Sequence, residues 1–290
     1  QYVDEISPPK LRVETDEIRF EVGFGLEYFS KLEKKTKQPV SQLAYRTRSG
    51  VWGDMPSSGG DILVHAKCDE RGKLFELTQA IIASLPPKSV SKFEDIYGWV
   101  YCNGRDLSVF NDDTENPAAL DERIKVAIDP QTGGSYVVTQ CWVHNYSLIQ
   151  DTKNDTKSQW IGRTIEDSIE LKKKSPTSHV ARVVECKFCF CAHSVNSVTE
   201  FDAEAKYQVV RHSQPYGTHA GESGLFFIAY SATPVALDWM LDHMTGQGVD
   251  KLCDDMMRLT RVSGNYWYFP SVEEFQRMTR TGCGSFRLWH

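Results

Sequence analysis

A ten-residue segment rich in β-branched and aromatic side chains, SYVVTQCWVH at 135–144, constrains the fold more than any other part of the sequence. Such a composition is typical of a buried strand. We predict further strands at 18–24, 61–67, 97–101, 225–230 and 266–269, and helices at 73–85, 157–171, 234–244 and 272–278. A long connection occupies 103–134. This order of elements is typical of an α+β protein, in which antiparallel sheets pack under helices in two similar halves.

Composition excludes several classes of protein. The 290 residues carry 33 basic and 39 acidic side chains, and a general nucleic-acid-binding protein is therefore disfavoured, because phosphate contacts need a basic surface. No apolar run reaches the roughly 18–20 residues of a membrane span, and no signal peptide is visible, so we expect neither a nucleic acid nor a membrane as a partner. The eight cysteines are too sparse for a disulfide scaffold. We therefore expect reduced thiols in a cytoplasmic protein.

One cysteine-rich segment has two interpretations. The run Cys186–His193, CKFCFCAH, contains three cysteines and a histidine at the spacing of half a zinc site. A closed tetrahedral site usually takes its ligands from two such clusters, and the sequence holds no second pair. The run also fits a strand with buried thiols. We expect no catalytic metal there.

Three polar residues stand out in separate segments. Asp112 lies in a loop, His179 follows a Pro-Thr-Ser segment, and Arg211 precedes Pro-Tyr-Gly. Each one alone has an ordinary structural explanation, since a loop aspartate is usually a turn former and a lone histidine is usually solvated or satisfied in the core. The motifs that surround these three residues give a more specific indication of function.

These surroundings form an ordered series of motifs. The motifs are DDTENP at 112–117, GGSYVV at 133–138, WVHN at 142–145, IGRT at 161–164, SH at 178–179, VRHSQPYG at 210–217 and GLFFIAY at 224–230. In this series the sequence resembles the dye-decolorizing (DyP-type) haem peroxidases, especially their bacterial cytoplasmic branch. The similarity runs from about Val22 to Phe275.

The resemblance implies a fold and a cofactor. It implies two ferredoxin-like halves with antiparallel sheets, as in a dimeric α+β barrel, within one compact unit. Residues 1–104 would form the N-terminal half, which lacks its usual first strand and helix, and residues 105–290 the C-terminal half. One haem b per chain would be bound by the C-terminal half.

The resemblance also implies roles for individual residues. His179 would be the proximal iron ligand, Asp112 the distal acid/base and Arg211 its charged partner. His144, in the WVHN motif, is expected to be structural.

Five further residues would contact the haem or its surroundings. These are Thr114, Arg163, Ser213, Leu225 and Phe227. Arg163 would pair with a propionate, and Ser213 would lie near the distal water network. Leu225 and Phe227 would line the distal ceiling.

The residue types suit peroxide chemistry. A neutral imidazole binds iron, a carboxylate moves a proton, and a guanidinium stabilises developing negative charge. We expect a haem peroxidase that reduces H2O2 and oxidises phenolic or dye-like small molecules, with a homo-oligomer as a possible assembly. Two alternatives stay open: a haem-binding or haem-handling protein of the same fold with little turnover, and a haem-free α+β interaction domain.

The sequence departs from the family pattern at two glycine positions. Val109 and Asp113 stand where the family has glycine, and a Cβ there costs energy if φ is positive. The acidic group that orients His179 in the family has only loose candidates, Asp202 and Glu204.

Overall fold

A computed structural model of the chain describes residues 18–36, 43–112, 116–183, 208–218 and 220–281. The described strands are β1 Arg19–Gly25, β2 Arg48–Gly50, β3 Gly53–Met55, β4 Ile62–Lys67, β5 Ser135–His144, β6 Val210–Arg211, β7 Gln214–Gly217, β8 Ser223–Ser231 and β9 Thr260–Phe269. The α-helices are α1 Leu26–Thr36, α2 Arg71–Ser84, α3 Leu120–Ala127, α4 Tyr146–Asp151, α5 Asn154–Ile161, α6 His179–Val183, α7 Pro234–Met244 and α8 Val272–Thr281, with a 3-10 helix at Asp255–Arg258. None of these helices has both the length and the apolar character that a bilayer span requires.

Seven of the described strands form one antiparallel sheet. Its order is β4-β1-β9-β5-β8-β6, and β7 also pairs with β8. The predicted strand at 135–144 is the centre of this sheet and pairs along its whole length with β9. The α+β class with antiparallel strands is therefore confirmed. The division of the chain at 104/105 stays a prediction.

Strand β8 is covered on both faces, as its continuous apolar sequence indicates. Alternate side chains of a strand point to opposite faces. The two sets are Leu225, Phe227 and Ala229 on one face, and Phe226, Ile228 and Tyr230 on the other. Each set packs into a different hydrophobic cluster, so β8 separates the two clusters.

The sheet is curled, so strands that are far apart in the sheet order come into contact. In the sheet order β4 and β8 are separated by three strands, yet His65 Nδ1 on β4 lies 2.8 Å from the Tyr230 hydroxyl on β8. This contact places β1 and β4 across the face of β8 that carries Ile228 and Tyr230. Helix α3 packs on this same face, and α7 packs on the other face of β8.

Three sequence predictions about local structure were wrong. Residues 97–101 form no strand and contribute only a single bridge, between Gly98 and Tyr216. The helix predicted at 157–171 ends at Ile161, because Gly162 adopts φ +89 and reverses the chain in the left-handed conformation. The connection at 103–134 contains helix α3.

Candidate functional site

His179 is the first residue of α6, and a buried carboxylate fixes its ring. Its Nδ1 lies 2.7 Å from Oδ2 of Asp254, whose side chain is fully buried. The other Asp254 oxygen accepts a hydrogen bond from the Met256 amide at 2.8 Å, which caps the 3-10 helix. Within the described part of the chain, Nε2 of His179 makes no hydrogen bond. A neutral ring that donates Nδ1–H to this carboxylate carries its lone pair on Nε2, where a metal could bind.

The segment that holds His179 packs tightly against the end of α5. A Cβ added to Gly162 would lie 3.1 Å from Ser178 Oγ and 3.2 Å from Val180 Cβ. Only glycine combines this close approach with the left-handed backbone. Gly162 therefore brings the IGRT motif directly beside His179.

Asp254 is a candidate site residue that sequence reasoning missed, because it contacts His179. It lies 75 residues beyond His179, after β8 and α7. The candidates Asp202 and Glu204 lie outside the described residues. The sequence signal available at 254–255 is a pair of aspartates before a short helix, and such a pattern is ordinarily interpreted as an N-cap. Asp254 does cap that helix through Oδ1, and its Oδ2 contacts Nδ1 of His179.

Asp112 and Arg211 lie together on a second group of elements. The Asp112 Oδ1 and Arg211 Nη1 atoms are 3.3 Å apart, and both side chains are mostly buried. The Asn116 side chain joins these segments, since its amide donates to the Arg211 carbonyl and accepts from the Arg211 amide, each at 2.8 Å. Arg211 is paired in register with Ala229 of β8. It therefore lies on the same face of β8 as Leu225 and Phe227.

The loop that precedes Asp112 is fixed at two points. Arg105 donates to the carbonyls of Ile165 and Glu166, at 2.9 and 2.8 Å. Asp106, which is buried, lies 2.8 Å from Nε2 of His144 at the end of β5. His144 thus anchors this loop to the central strand of the sheet.

The Asp106 carboxylate is held in its ionised form. Burial by itself would raise the pKa of Asp106, but the hydrogen bond and charge of His144, with hydrogen bonds from the Ser108 hydroxyl and amide, outweigh burial and lower it. A buried carboxylate with this many donors is a strong constraint on loop geometry.

Val109 lies in this loop with φ +77. A β-branched residue rarely adopts this left-handed conformation. The family pattern has glycine at this position, so the departure seen in the sequence coincides with real backbone strain. Asp113, the second departure, and Thr114 lie outside the described residues.

The remaining predicted site residues have defined surroundings. Arg163 donates to the Ser168 carbonyl at 2.8 Å and lies 3.7 Å from Glu170. The Ser213 hydroxyl oxygen is buried and has no hydrogen-bond partner among the described residues.

The apolar face of β8 and the end of α6 border one cluster. Leu225 and Phe227 pack against it from the sheet, and Val183 from the helix that begins with His179. Leu225, Phe227 and Val183 thus pack against the same hydrophobic cluster. The segment Cys186–His193 lies outside the described residues.

Comparisons with known proteins assign the family. The family model described as "Dyp-type peroxidase, C-terminal" matches residues 103–274. The chain belongs to the DyP-type peroxidase family, and the resemblance found in the sequence is confirmed.

Curated relatives agree with this assignment. A dye-decolorizing peroxidase of Mycobacterium tuberculosis is 30% identical over 234 residues, covering 75% of this chain and 63% of the relative. One from Mycolicibacterium paratuberculosis is 31% identical over 229 residues, covering 75% of this chain and 60% of the relative. The chain therefore matches less than two thirds of the length of either relative.

Solved structures share the fold. A dye-decolorizing protein from V. cholerae has a TM-score of 0.78 at 29% identity, covering 96% of this chain and 87% of that protein. A variant of DypB from Rhodococcus jostii RHA1 in complex with heme has a TM-score of 0.76 at 24% identity, covering 90% of this chain and 81% of that protein. The second likeness concerns the fold alone.

Proposed function

We propose that this chain is a haem peroxidase that reduces H2O2 and oxidises small phenolic or dye-like molecules. The observation that carries the proposal is the pairing of His179 Nδ1 with the fully buried carboxylate of Asp254. Histidines that ligate a metal typically donate their other ring N–H to such a group, which fixes the ring and raises its basicity. Family membership supports the same conclusion.

The described residues fit a haem group in three respects. His179 offers an Nε2 lone pair. The Ser213 hydroxyl is buried and lacks a partner among the described residues. Leu225 and Phe227 offer an apolar wall. We propose residues 105–290 as the haem-binding half, and the family match at 103–274 supports this division.

Each polar residue has a proposed task. Bound haem would supply an iron that takes H2O2 as a ligand and accepts its oxidising equivalents. Asp112 would take a proton from the peroxide and return it to the leaving oxygen. Arg211 stays protonated and cannot move a proton, so it would stabilise the negative charge that develops on the oxygens. His179 would hold the iron, with Asp254 making the imidazole more electron-rich.

The other predicted contacts remain part of the proposal. Ser213 would hydrogen-bond a water or the peroxide beside the distal pair, and Arg163 would exchange its bond to Ser168 for a propionate. Leu225 and Phe227 would line the distal side of the haem pocket. Thr114 would also contact the haem or its surroundings.

We also propose a cytoplasmic location and leave open a homo-oligomer. The four described cysteines, at 68, 102, 141 and 253, are free thiols, as a reducing compartment requires.

Haem loading tests the ligand. The purified protein should show a Soret band with one haem per chain, and His179→Ala should lose haem or its histidine-bound spectrum. His144→Gln, which changes a histidine that contacts Asp106, should keep that spectrum. An unchanged spectrum in His179→Ala contradicts the assignment.

Peroxide kinetics test the distal pair. Asp112→Ala should slow the reaction with H2O2 by about 10²–10⁴-fold. Arg211→Leu should slow it by about 10²-fold or more. Its effect should be at least as large as that of Asp112→Ala, because water can partly replace the carboxylate as a shuttle. Arg261→Leu, which removes an exposed charge on β9, is the control and should leave the rate unchanged. If neither distal variant is slow in stopped-flow mixing, the proposed site is wrong.

A further inference from the structure

A second cluster of titratable groups lies on the opposite face of β8. It joins Glu21 of β1, His65 of β4 and Tyr230 of β8. His65 Nδ1 lies 2.7 Å from Glu21 Oε1 and 2.8 Å from the Tyr230 oxygen, and the Tyr230 hydroxyl donates to Glu21 Oε1 at 3.1 Å. The exposed fractions of the side chains of Glu21 and His65 are 11% and 16%, and Tyr230 is 1% exposed. The three groups therefore form a closed triangle of hydrogen bonds with little access to water.

The protonation of this triangle follows from burial and geometry. Burial raises the pKa of Tyr230 well above its ordinary value, so the phenol keeps its proton. Burial, with the charge of Lys67, lowers the pKa of His65 to about 3, so the ring is neutral at pH 7. When Glu21 is ionised, the neutral ring nitrogen at 2.7 Å from its oxygen carries the proton, because two lone pairs would repel. Glu21 therefore accepts from both neighbours, and the Nδ1–H also faces the Tyr230 oxygen.

The triangle is close to the proposed peroxide site but separated from it by one strand. Tyr230 is in register with Val210, and its neighbour Ala229 is in register with Arg211. Arg211 and Tyr230 therefore project from opposite faces of the same strand pair. The His212 ring, next to Arg211, lies 6.1 Å from the His65 ring between centroids.

We propose that Tyr230 is a redox-active tyrosine with Glu21 as its built-in proton acceptor. In this step the Tyr230 O–H bond breaks, and its proton forms a new O–H bond on Glu21 Oε1. One electron leaves the phenol for a one-electron oxidant, which in the protein is the peroxide-oxidised haem of the proposed function. The products are a neutral phenoxyl radical and a neutral carboxylic acid, with His65 donating its Nδ1–H to the radical oxygen.

Charge balance explains why this tyrosine suits the task. Removing an electron from a buried phenol that keeps its proton would create an unpaired positive charge in a poorly solvated site, which is costly. In the proposed step an ionised Glu21 supplies a negative charge, which the transferred proton neutralises. No net positive charge is therefore buried at any stage.

Another buried tyrosine lacks this arrangement and serves as a matched control. The Tyr45 hydroxyl accepts a hydrogen bond from the Gln140 side-chain amide at 3.2 Å, and the Arg48 guanidinium lies 5.5 Å from its ring centroid. Neither neighbour takes a proton. Oxidation of Tyr45 would therefore leave a positive charge beside an arginine.

Electron paramagnetic resonance of the haem-loaded protein, frozen after mixing with H2O2, tests the inference. The wild type should give a radical signal that narrows when the tyrosine rings are deuterated. Tyr230→Phe and Glu21→Gln should lose that deuterium-sensitive signal, while Tyr45→Phe should keep it. Thermal unfolding of each variant shows that the fold is retained. An equally strong deuterium-sensitive signal in Tyr230→Phe overturns the proposal.

The inference rests on the proposed function for its oxidant, and a second oxidant separates the two. Photogenerated tris(bipyridine)ruthenium(III) oxidises the same full-length protein without peroxide. If the haem spectrum does not respond to H2O2, the proposed function fails, and the ruthenium experiment decides on Tyr230. Loss of a phenoxyl absorption component in both Tyr230→Phe and Glu21→Gln, but not in Tyr45→Phe, supports the inference. An identical phenoxyl component in all variants refutes it.

Discussion

Val109 carries the clearest conformational strain of any residue near the distal pair. Its φ of +77 costs a β-branched side chain about 1–2 kcal/mol, and its side chain is 37% exposed, so little packing offsets the cost. We expect Val109→Gly to raise the free energy of unfolding by about 1 kcal/mol, after the greater chain entropy of glycine is allowed for. Urea denaturation measures the change.

A second exposed valine provides the control for this change. Val100 is 75% exposed and does not adopt positive φ, so Val100→Gly should lower the stability by about 0.5–1 kcal/mol. If both variants lower the stability alike, the strain assigned to Val109 is absent in solution.

Asp254 is expected to matter through its charge as well as its shape. Asp254→Asn keeps a hydrogen-bond acceptor near His179 but removes the negative charge that enriches the imidazole. Loss of such a partner typically costs about 10–100-fold in metal affinity or activity, and we expect a loss in this range together with a raised haem reduction potential. Asp250→Asn, which affects the nearby ion pair with Arg182, should leave the potential unchanged. An equal haem reduction potential in Asp254→Asn and Asp250→Asn would show that the charge of Asp254 does not act on His179.

At the scale of elements, the attachment of the distal loop to β5 should make stability depend on pH. The pKa of Asp106 is lowered in the folded protein. Its stabilising effect is therefore fully present above the unfolded pKa of about 3.9, and it is lost as the pH falls through the lower, folded value. Asp106→Asn should cost about 1.5–3 kcal/mol at pH 7, as for hydrogen bonds to charged groups. The cost should shrink below about pH 4.

Urea denaturation between acidic and neutral pH checks this dependence. Glu76→Gln, on the exposed face of α2, serves as the control with little expected change. A cost of Asp106→Asn that stays constant on acidification would mean that the carboxylate is not ionised in the folded state.

The junction between α5 and α6 gives a second prediction at this scale. Gly162→Ala places a Cβ at 3.1–3.2 Å from Ser178 and Val180 in a left-handed backbone, so it should destabilise the protein by about 1–2 kcal/mol and weaken haem retention. Gly72→Ala is the matched control, because a Cβ on Gly72 of α2 meets no atom within 4 Å. There alanine should stabilise by about 0.5–1 kcal/mol. Equal effects of the two substitutions on thermal unfolding would contradict the packing argument.

At the scale of the whole molecule, local patterns predicted some elements well. Strand β5 and helix α7 have the bounds that their apolar patterns predict, because both are long and strongly patterned. The segment at 97–101 has the composition of a strand but finds no partner beyond one bridge. Whether such a segment forms a strand also depends on its pairing with a neighbouring strand, and composition does not encode that pairing.

The sequence indicates candidate site residues only where motifs mark them. Asp112, His179 and Arg211 stand in recognisable segments, whereas Asp254 and the Glu21–His65–Tyr230 cluster arise from contacts across the sheet. Tyr230 and Glu21 are 209 residues apart, and no local spacing indicates that they meet. The fold class can therefore be predicted from sequence more fully than the polar networks that the fold creates.

The position of β9 has a consequence for the order of events during synthesis. β9 lies between β1 and β5, and it pairs Phe24 with Tyr268 and Gly25 with Trp267. The β1–β4 pair emerges from the ribosome early, but the strand that connects it to β5 is translated last among the described strands. Pairings over such sequence distances form slowly, since loop closure precedes the stabilising contacts. The flank of β5 that pairs with β9 therefore stays without this partner strand until residues 260–269 have been translated.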